Sequence, residues 1–455
     1  MHSRLSTICL VMVAMLAMFA LTLTAAENPS VAYIQRTMLA LETSTAAKPA
    51  HLRVLFYGQS ITAQAWTKTV EKQLKTQYPT VKFEFLNAAI GGYDSSRLIR
   101  TADHDLYPWY PDVLFFHVYG PLDKYEEIVK RTRERTSAEI VIWTSHFSQG
   151  CGKNMAAGVD VVHDERAEGI RAVAKKYNCM LVDLRRKWHD YLVENKVAAD
   201  SLLIDAVHLN EKGCDLYAKC IGEELRRVPE LGDDPAASGS IVSVPVTDPA
   251  VTPGADGSLT LRFTGNRVLA VSDGTGKRST SANVLLDGKP MNDRPELWAI
   301  TRPSLGPAGI WMPAINHLDF PAVPVAEDWM LTCLPDSTPD GKLIHFSLCG
   351  SETGVDGEGW STAQFVSSSR RALIKPEDWN VAWTLGYKKA TLPKDFTVTW
   401  RTYPLFTPSY QPQSAGKRTR LVQGCTNTEH TLTLVPEFAG GKLGIGAFIV
   451  QAPPR

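Results

Sequence analysis

The chain has 455 residues, more than one hydrophobic core usually serves, so we expect two or three domains. It carries 48 basic and 48 acidic residues, and its sequence shows no basic cluster or arginine-rich stripe. This balance excludes the electrostatic footprint of a nucleic-acid-binding protein.

The first segment, residues 1–26, is typical of a secretory signal peptide. His2 and Arg4 precede an apolar stretch from Ile8 to Leu23, and the small residues from Thr24 to Ala26 suit a cleavage site. We therefore expect a secreted or periplasmic protein that keeps no membrane span after cleavage. An uncleaved membrane anchor is the alternative, although no second apolar span supports it.

The next two segments are a polar lead-in at 27–50, with a short helix predicted around Val31 to Leu41, and an alternation of strands and helices at 51–230. Such alternation predicts βαβ units and a parallel sheet, which is an α/β fold. The predicted strands are Leu52 to Tyr57, Lys82 to Asn87, Val113 to Val118, Glu139 to Trp143 and Met180 to Leu184, and the predicted helices include Ala63 to Gln77, Lys124 to Arg135 and Asp164 to Tyr177.

Two short motifs in this segment carry groups for nucleophilic catalysis. Ser60 lies in Gly-Gln-Ser-Ile at 58–61, between the first strand and the first helix, where parallel α/β sheets form their sites. Asp205 and His208 lie in Asp-Ala-Val-His, directly before a helical pattern that begins near Asn210. A turn of that length can place a carboxylate beside an imidazole, which can then take a proton from a serine hydroxyl.

These motifs resemble those of the SGNH hydrolases, also called GDSL-type esterases and lipases, over roughly residues 50–228. The resemblance implies that Ser60 is the nucleophile, Asp205 the orienting acid and His208 the base. Gln59 departs from the family, which usually has an acid at this position. The implied fold is a five-stranded, flavodoxin-like three-layer sandwich.

The resemblance also implies an oxyanion hole. Its donors would be the N–H groups of Ser60 and Gly92, because 87–92 matches Asn-x-x-x-x-Gly, with Gly91 as the alternative to Gly92. The family's third donor, the asparagine of Gly-x-Asn-Asp, is missing from Gly-Pro-Leu-Asp at 120–123. Loss of one donor typically costs about 10²–10³ in turnover, so either another group substitutes or the enzyme is slow.

Three aromatic side chains are candidates to replace that donor. His117 and Tyr119 lie at the end of the third predicted strand and share one face by strand alternation, and His146 follows the next strand. We favour His117. For all three, the alternative is a structural role as a half-buried ring that hydrogen-bonds the neighbouring backbone.

A linker at 231–240, rich in Asp, Pro, Ala and Gly, separates the α/β domain from a β-rich region at 241–455. The two ends of this region resemble a galactose-binding-like jelly roll. The stretch between them, at about 295–402, is too long for a loop and predicts an inserted β subdomain. The strands that carry the resemblance lie near Leu259, Val284, His430 and Ile445.

Tryptophans are crowded in the predicted insert: Trp298, Trp311, Trp329, Trp360, Trp379 and Trp383. Such residues usually anchor β cores, which is the interpretation we favour, and a sugar-binding surface is the alternative. Cys333 and Cys349 could pair across a hairpin, whereas Cys214 and Cys220 point to different sides of one helix.

The resemblance implies a serine esterase that needs no metal or organic cofactor. The signal peptide and the aromatic β-rich region together lead us to expect a secreted enzyme that deacetylates a polysaccharide or oligosaccharide. A lipid or aryl esterase, or an acyltransferase with the same three residues, is one alternative. A non-catalytic carbohydrate-binding protein with a decayed site is another. Retention of Ser60, Asp205 and His208 argues against decay.

Overall fold

The structure, a computed structural model, describes residues 28–148, 161–231, 240–275, 280–305 and 312–454. The predicted signal peptide, Trp311 and nearly all of the predicted linker lie outside these residues. Across the described ranges, no helix combines the length and the apolar character needed to cross a membrane.

The first half of the chain is an α/β structure, as predicted. The strands are β1 (His51–Gly58), β2 (Lys82–Asn87), β3 (Val113–His117), β4 (Glu139–Trp143) and β5 (Met180–Val182). The helices are α1 (Gln35–Glu42), α2 (Trp66–Gln77), α3 (Ser95–Asp105), α4 (Leu122–Arg135), α5 (Val161–Lys176), α6 (Leu184–Asn195) and α7 (Glu211–Gly222). The strands form one parallel sheet in the order β2-β1-β3-β4-β5, which is the flavodoxin-like order and confirms the predicted fold class.

Burial explains why the strands of this sheet were recognisable in the sequence. Every residue of β3 and β4 is buried, as expected for strands covered on both faces, and such strands read as continuous apolar runs. The edge strand β2 keeps exposed positions. In the parallel pair β1 and β3, Gly58 lies opposite His117, so the residues that follow these strands leave the sheet at the same edge.

The second half is all-β, as predicted, apart from short helical segments. One antiparallel sheet of seven strands has the order β18-β9-β19-β8-β20-β6, with β7 paired to β8. These strands are β6 (Ser240–Pro245), β7 (Val251–Pro253), β8 (Leu259–Ser272), β9 (Ala282–Leu286), β18 (Ser409–Tyr410), β19 (Arg418–Pro436) and β20 (Ile445–Ala452). The strands of the two predicted jelly-roll ends pair directly with one another.

The predicted insert forms a sheet of its own, in the order β10-β17-β12-β13-β14, with β11 paired to β17. Its strands are β10 (Trp298–Ile300), β11 (Ser304–Leu305), β12 (Glu327–Cys333), β13 (His345–Gly350), β14 (Gly354–Trp360) and β17 (Thr397–Pro404), and a separate pair is β15 (Phe365–Val366) with β16 (Leu373–Ile374). Each of the two larger sheets packs on its own hydrophobic core.

Two details of the insert differ from the sequence prediction. Cys333 and Cys349 do not form a disulfide, because the register of β12 and β13 places Cys333 opposite Phe346 and Cys349 opposite Met330. The insert also contains a helix, α8 (Val381–Lys388), which the β prediction missed.

Contacts divide the chain into two compact units. The first unit comprises Met1–Leu52, Gln64–Glu84 and Glu139–Ala237, and its aromatic core includes Trp66, Trp143 and Tyr217. The second unit comprises Arg53–Ala63, Phe85–Ala138 and Ser238–Arg455.

Candidate active site

The predicted nucleophile lies in a tight turn between β1 and α2. The Ser60 hydroxyl donates to Oε1 of Gln59 at 2.9 Å, and the backbone N–H of Ile61 donates to the same oxygen at 2.9 Å. Gln59 is only 3% exposed. The residue that replaces the family's acid therefore holds the serine hydroxyl through a neutral amide oxygen.

Glycine is required at the start of this turn. A Cβ on Gly58 would stand 2.2 Å from the carbonyl oxygen of His117 and 2.4 Å from Oγ1 of Thr62. Any side chain would push the end of β1 away from β3. The first glycine of the motif is thus explained by close packing of backbone on backbone.

The predicted oxyanion stretch, 87–92, is attached to the same turn. The Asn87 side chain donates to the Thr62 carbonyl at 2.8 Å, and the N–H of Ile90 donates to the Gly58 carbonyl at 2.9 Å. The stretch ends at Gly92, whose φ of 77° lies in the left-handed region that favours glycine. Asn87 acts here by fastening the stretch to the nucleophile turn.

The position of the family's third oxyanion donor is occupied by an apolar residue in this chain. Leu122, at the position where the family has asparagine, is the first residue of α4. Of the three candidates for a replacement, His117 is buried at the end of β3 and its ring meets Tyr119 edge to face, with centroids 5.3 Å apart. The shared face predicted for these two rings is confirmed, and a donor role for His117 stays a prediction.

The third candidate, His146, hydrogen-bonds a backbone carbonyl. Its Nε2 lies 2.8 Å from the carbonyl oxygen of Val207. Because a carbonyl can only accept, Nε2 carries the proton and donates it to this backbone group. His146 is therefore a support for the loop that carries the predicted base, which is the structural alternative foreseen for it.

The predicted acid and base lie together. Oδ2 of Asp205 is 2.7 Å from Nδ1 of His208, and Oδ1 accepts the backbone N–H groups of Val207 at 2.9 Å and His208 at 2.8 Å. A carboxylate on Nδ1 keeps the proton there and leaves Nε2 with the lone pair that a general base needs. The Asp-x-x-His spacing therefore gives the contact between carboxylate and imidazole that the sequence predicted.

The same contacts set the charge of Asp205. The backbone N–H groups of His208 and Val207, followed by the His208 side chain, lower the pKa of Asp205 to about 2. These contacts favour the ionised form, so they are intact at neutral pH and weaken only as the pH falls from about 4 towards 2. Asp205 therefore stays charged throughout the range in which an esterase of this kind would work.

Gln64 fastens the base loop, a role that the sequence analysis missed. Its Nε2 donates to the carbonyl of Leu209 at 2.8 Å, and its Oε1 accepts the Leu209 N–H at 3.1 Å. An antiparallel bridge between Leu203 and Leu209 closes the loop, and the Asn210 side chain caps α7 directly after it. Only the position of Gln64, shortly after Ser60 in the sequence, could have drawn attention to it.

The predicted site residues fall into two groups. Asp205 and His208 belong to the first unit, and Ser60, Gly92 and His117 belong to the second. Each group has the local geometry that its role requires. The pairing of Ser60 with His208, and the use of Gly92 as an oxyanion donor, stay predictions.

The cavity found in the second unit does not contain the predicted catalytic residues. A cavity of about 490 Å³ in the second unit is lined by residues that include Asp103, Tyr107, Trp298 and Gln423, and by none of the predicted catalytic residues. Nor do three or more His, Cys, Asp or Glu side chains converge as a metal site anywhere in the described residues.

Comparison with known proteins gives matches among solved structures only, because no family model and no curated protein matches the chain. Axe2, an acetylxylan esterase from Geobacillus stearothermophilus, is 18% identical over 39% of this chain and 95% of its own, with a TM-score of 0.34. The acetyl xylan esterase AlAXEase is 23% identical over 38% of this chain and 98% of its own, with a TM-score of 0.34. A two-domain esterase (CEX) active on acetylated mannans is 12% identical over 92% of this chain and 95% of its own, with a TM-score of 0.35. All three of these proteins are esterases.

Proposed function

We propose that this protein is a secreted serine esterase of the SGNH type that removes acetyl groups from a polysaccharide or oligosaccharide. The observation that carries the proposal is the Asp205–His208 pair, joined at 2.7 Å in a loop that three further contacts hold in place. A protein that only bound sugar would have no need for a fixed tautomer at His208.

In the proposed reaction, Ser60 Oγ attacks the ester carbonyl while Nε2 of His208 takes the hydroxyl proton. The N–H groups of Ser60 and Gly92 bind the oxygen that becomes negative. Collapse of the tetrahedral intermediate breaks the bond to the sugar oxygen, which leaves with the proton from His208. Water then attacks acetyl-Ser60 in the same way, His208 takes and returns a proton, and acetate is released.

Two features support an exported carbohydrate esterase over other esterases. The apolar segment at 8–23, with small residues before Glu27, has the composition of a signal peptide. The second half of the chain adds two large β-sheets and several half-exposed tryptophans to the α/β half. Exposed aromatic rings can pack against sugar rings, which favours carbohydrate as the substrate class. N-terminal sequencing of the exported protein should begin at Glu27.

The test of the chemistry is hydrolysis of p-nitrophenyl acetate by the mature protein and by Ser60→Ala. We expect the variant to lose about 10³-fold or more in kcat, because the nucleophile is gone while folding is unaffected. Ser243→Ala, which alters an exposed serine in β6, is the matched control and should keep full activity. Equal rates for wild type and Ser60→Ala, or none in either, would exclude the proposed esterase.

A further inference from the structure

Helix α8 of the insert lies against the predicted oxyanion glycine. A Cβ on Gly92 would stand 3.1 Å from Cη2 of Trp383 and 3.3 Å from Cε2 of Tyr387. These two rings belong to successive turns of α8, so they present one face of the helix to Gly92. The wall beside the predicted oxyanion site is therefore built by the inserted subdomain.

The ring of Trp383 is held firmly in this wall. The Arg97 guanidinium lies over it at 4.4 Å from the ring centroid, Tyr387 stacks on it with centroids 5.3 Å apart and planes at 19°, and Tyr93 meets it edge to face at 5.6 Å. Cation–π and aromatic contacts of this kind fix a ring in one orientation. Trp383 is therefore the rigid part of this wall, and Tyr387 packs on it.

Tyr387 is the ring that solvent reaches. It is 55% exposed although it packs on Trp383 and on Gly92, so a large part of its surface is presented beside the predicted oxyanion donor. An exposed aromatic ring on a rigid backing loses little conformational freedom when a ligand packs on it. The apolar C–H face of a pyranose ring suits such a surface, whereas a small aliphatic ester offers nothing to cover it.

We propose that Tyr387, backed by Trp383, is a sugar-stacking residue that positions the acetylated pyranose for attack by Ser60. This proposal rests on the proposed esterase function and adds the part of the substrate that the insert recognises. It gives the insert a direct role at the reacting centre and makes Tyr387 a determinant of the preference for carbohydrate esters over small esters.

The test compares two substrates without an aromatic leaving group, acetylated xylooligosaccharides and ethyl acetate, with acetate release followed by pH-stat. For Tyr387→Ala we expect kcat/KM on the oligosaccharides to fall about tenfold, mainly through KM, and kcat/KM on ethyl acetate to stay within about twofold. Tyr387→Phe keeps the ring and should retain most of the wild-type activity on both substrates. Phe438→Ala, which removes another exposed aromatic ring, is the control and should change neither value.

A binding measurement separates this proposal from the esterase proposal. In the Ser60→Ala background, calorimetric titration with the same oligosaccharides should give a Kd about tenfold weaker when Tyr387→Ala is added. Equal Kd values with and without Tyr387 would overturn the stacking role, even if the wild-type enzyme proved to be an active esterase. An equal loss of kcat/KM on both substrates would also overturn it, since Tyr387 would then be supporting Gly92 alone.

Discussion

Gln59 is the residue at which this chain departs most visibly from the SGNH pattern, and its contacts explain what the amide does. Oε1 accepts from both the Ser60 hydroxyl and the Ile61 N–H, whereas buried Nε2 has no hydrogen-bond partner within the described part of the chain. A neutral amide oxygen binds a hydroxyl less strongly than a carboxylate does. Gln59 can therefore orient the Ser60 hydroxyl without holding the hydroxyl proton too strongly for a base to remove it.

Gln59→Glu, a nearly isosteric change, should therefore slow the enzyme. A carboxylate would hold the Ser60 proton through a charge-assisted bond, and we expect kcat on p-nitrophenyl acetate near neutral pH to fall roughly tenfold. Gln73→Glu places the same change on the exposed face of α2 and should have no effect. An unchanged kcat in Gln59→Glu would show that Gln59 does not hold the hydroxyl in the ground state.

At the scale of elements, the insert is anchored to α3 by an ion pair between half-buried Arg302 and buried Asp105. Arg302 contacts both oxygens of Asp105, at 2.8 and 3.1 Å, and also donates to the Ala88 carbonyl at 3.0 Å. Burial would raise the pKa of Asp105, but His104 and Arg302 together outweigh it and leave the pKa below its ordinary value. The insert thereby fixes both the end of α3 and the stretch that leads to Gly92.

Asp105→Asn should therefore destabilise the protein. It removes the ion-pair partner of half-buried Arg302, and loss of a hydrogen bond to a charged group at such a site typically costs about 1–3 kcal/mol. Urea unfolding should show this as a lower midpoint, and Asp395→Asn, at an exposed position, should change stability by less than about 0.5 kcal/mol.

The pH dependence supplies a second check. Because the pKa of Asp105 is lowered, its stabilisation is full above the unfolded-state pKa of about 4 and is lost as the pH falls through the lower folded value. The gap between wild type and Asp105→Asn should therefore shrink in acid. A gap that is constant with pH would mean that charge does not cause it.

Elements could be predicted from the sequence where burial imposes a pattern. The uninterrupted Ile-Val-Ile-Trp of β4 reflects a strand covered on both faces, and its predicted bounds are confirmed. Helix α3 was not among the helices named from the sequence, which is mostly polar there. The Asp94 side chain caps its start by accepting the Arg97 N–H at 3.1 Å. For α8, neither hydrophobic periodicity nor a capping side chain indicated a helix. The segment was therefore included in the predicted β subdomain.

The candidate site shows the same limit. The contact of Asp205 with His208 could be predicted because the two residues share one loop. The contacts of Tyr387 with Gly92, and of Arg302 with Asp105, join residues that are far apart in the sequence. Such contacts depend on packing between sheets and helices, which periodicity and spacing do not encode.

At the scale of the whole molecule, the second unit joins segments from both halves of the chain. It combines 85–138 with 238–455, and two of the hydrogen bonds between these segments are fully buried. Tyr93 Oη donates to Oδ1 of Asn316 at 2.7 Å, and Tyr110 Oη donates to Oδ1 of Asn266 at 2.7 Å. The segment that carries Gly92 and His117 therefore completes its packing only with the β-rich half present.

This organisation predicts that the α/β half does not form a stable protein by itself. A fragment of residues 28–231 would expose the rings of Tyr93 and Tyr110, together with the face of α3 that Asp378 binds through Arg100. We take the loss of these contacts as about 5 kcal/mol in the free energy of unfolding. In a fragment of this size, such a loss lowers Tm by roughly 10–20 °C. Calorimetry should therefore show either no cooperative transition or a Tm at least about 10 °C below that of residues 27–455. A fragment that melts cooperatively at the temperature of the longer protein, with full activity on ethyl acetate, would mean that the β-rich half supports neither the fold nor the site.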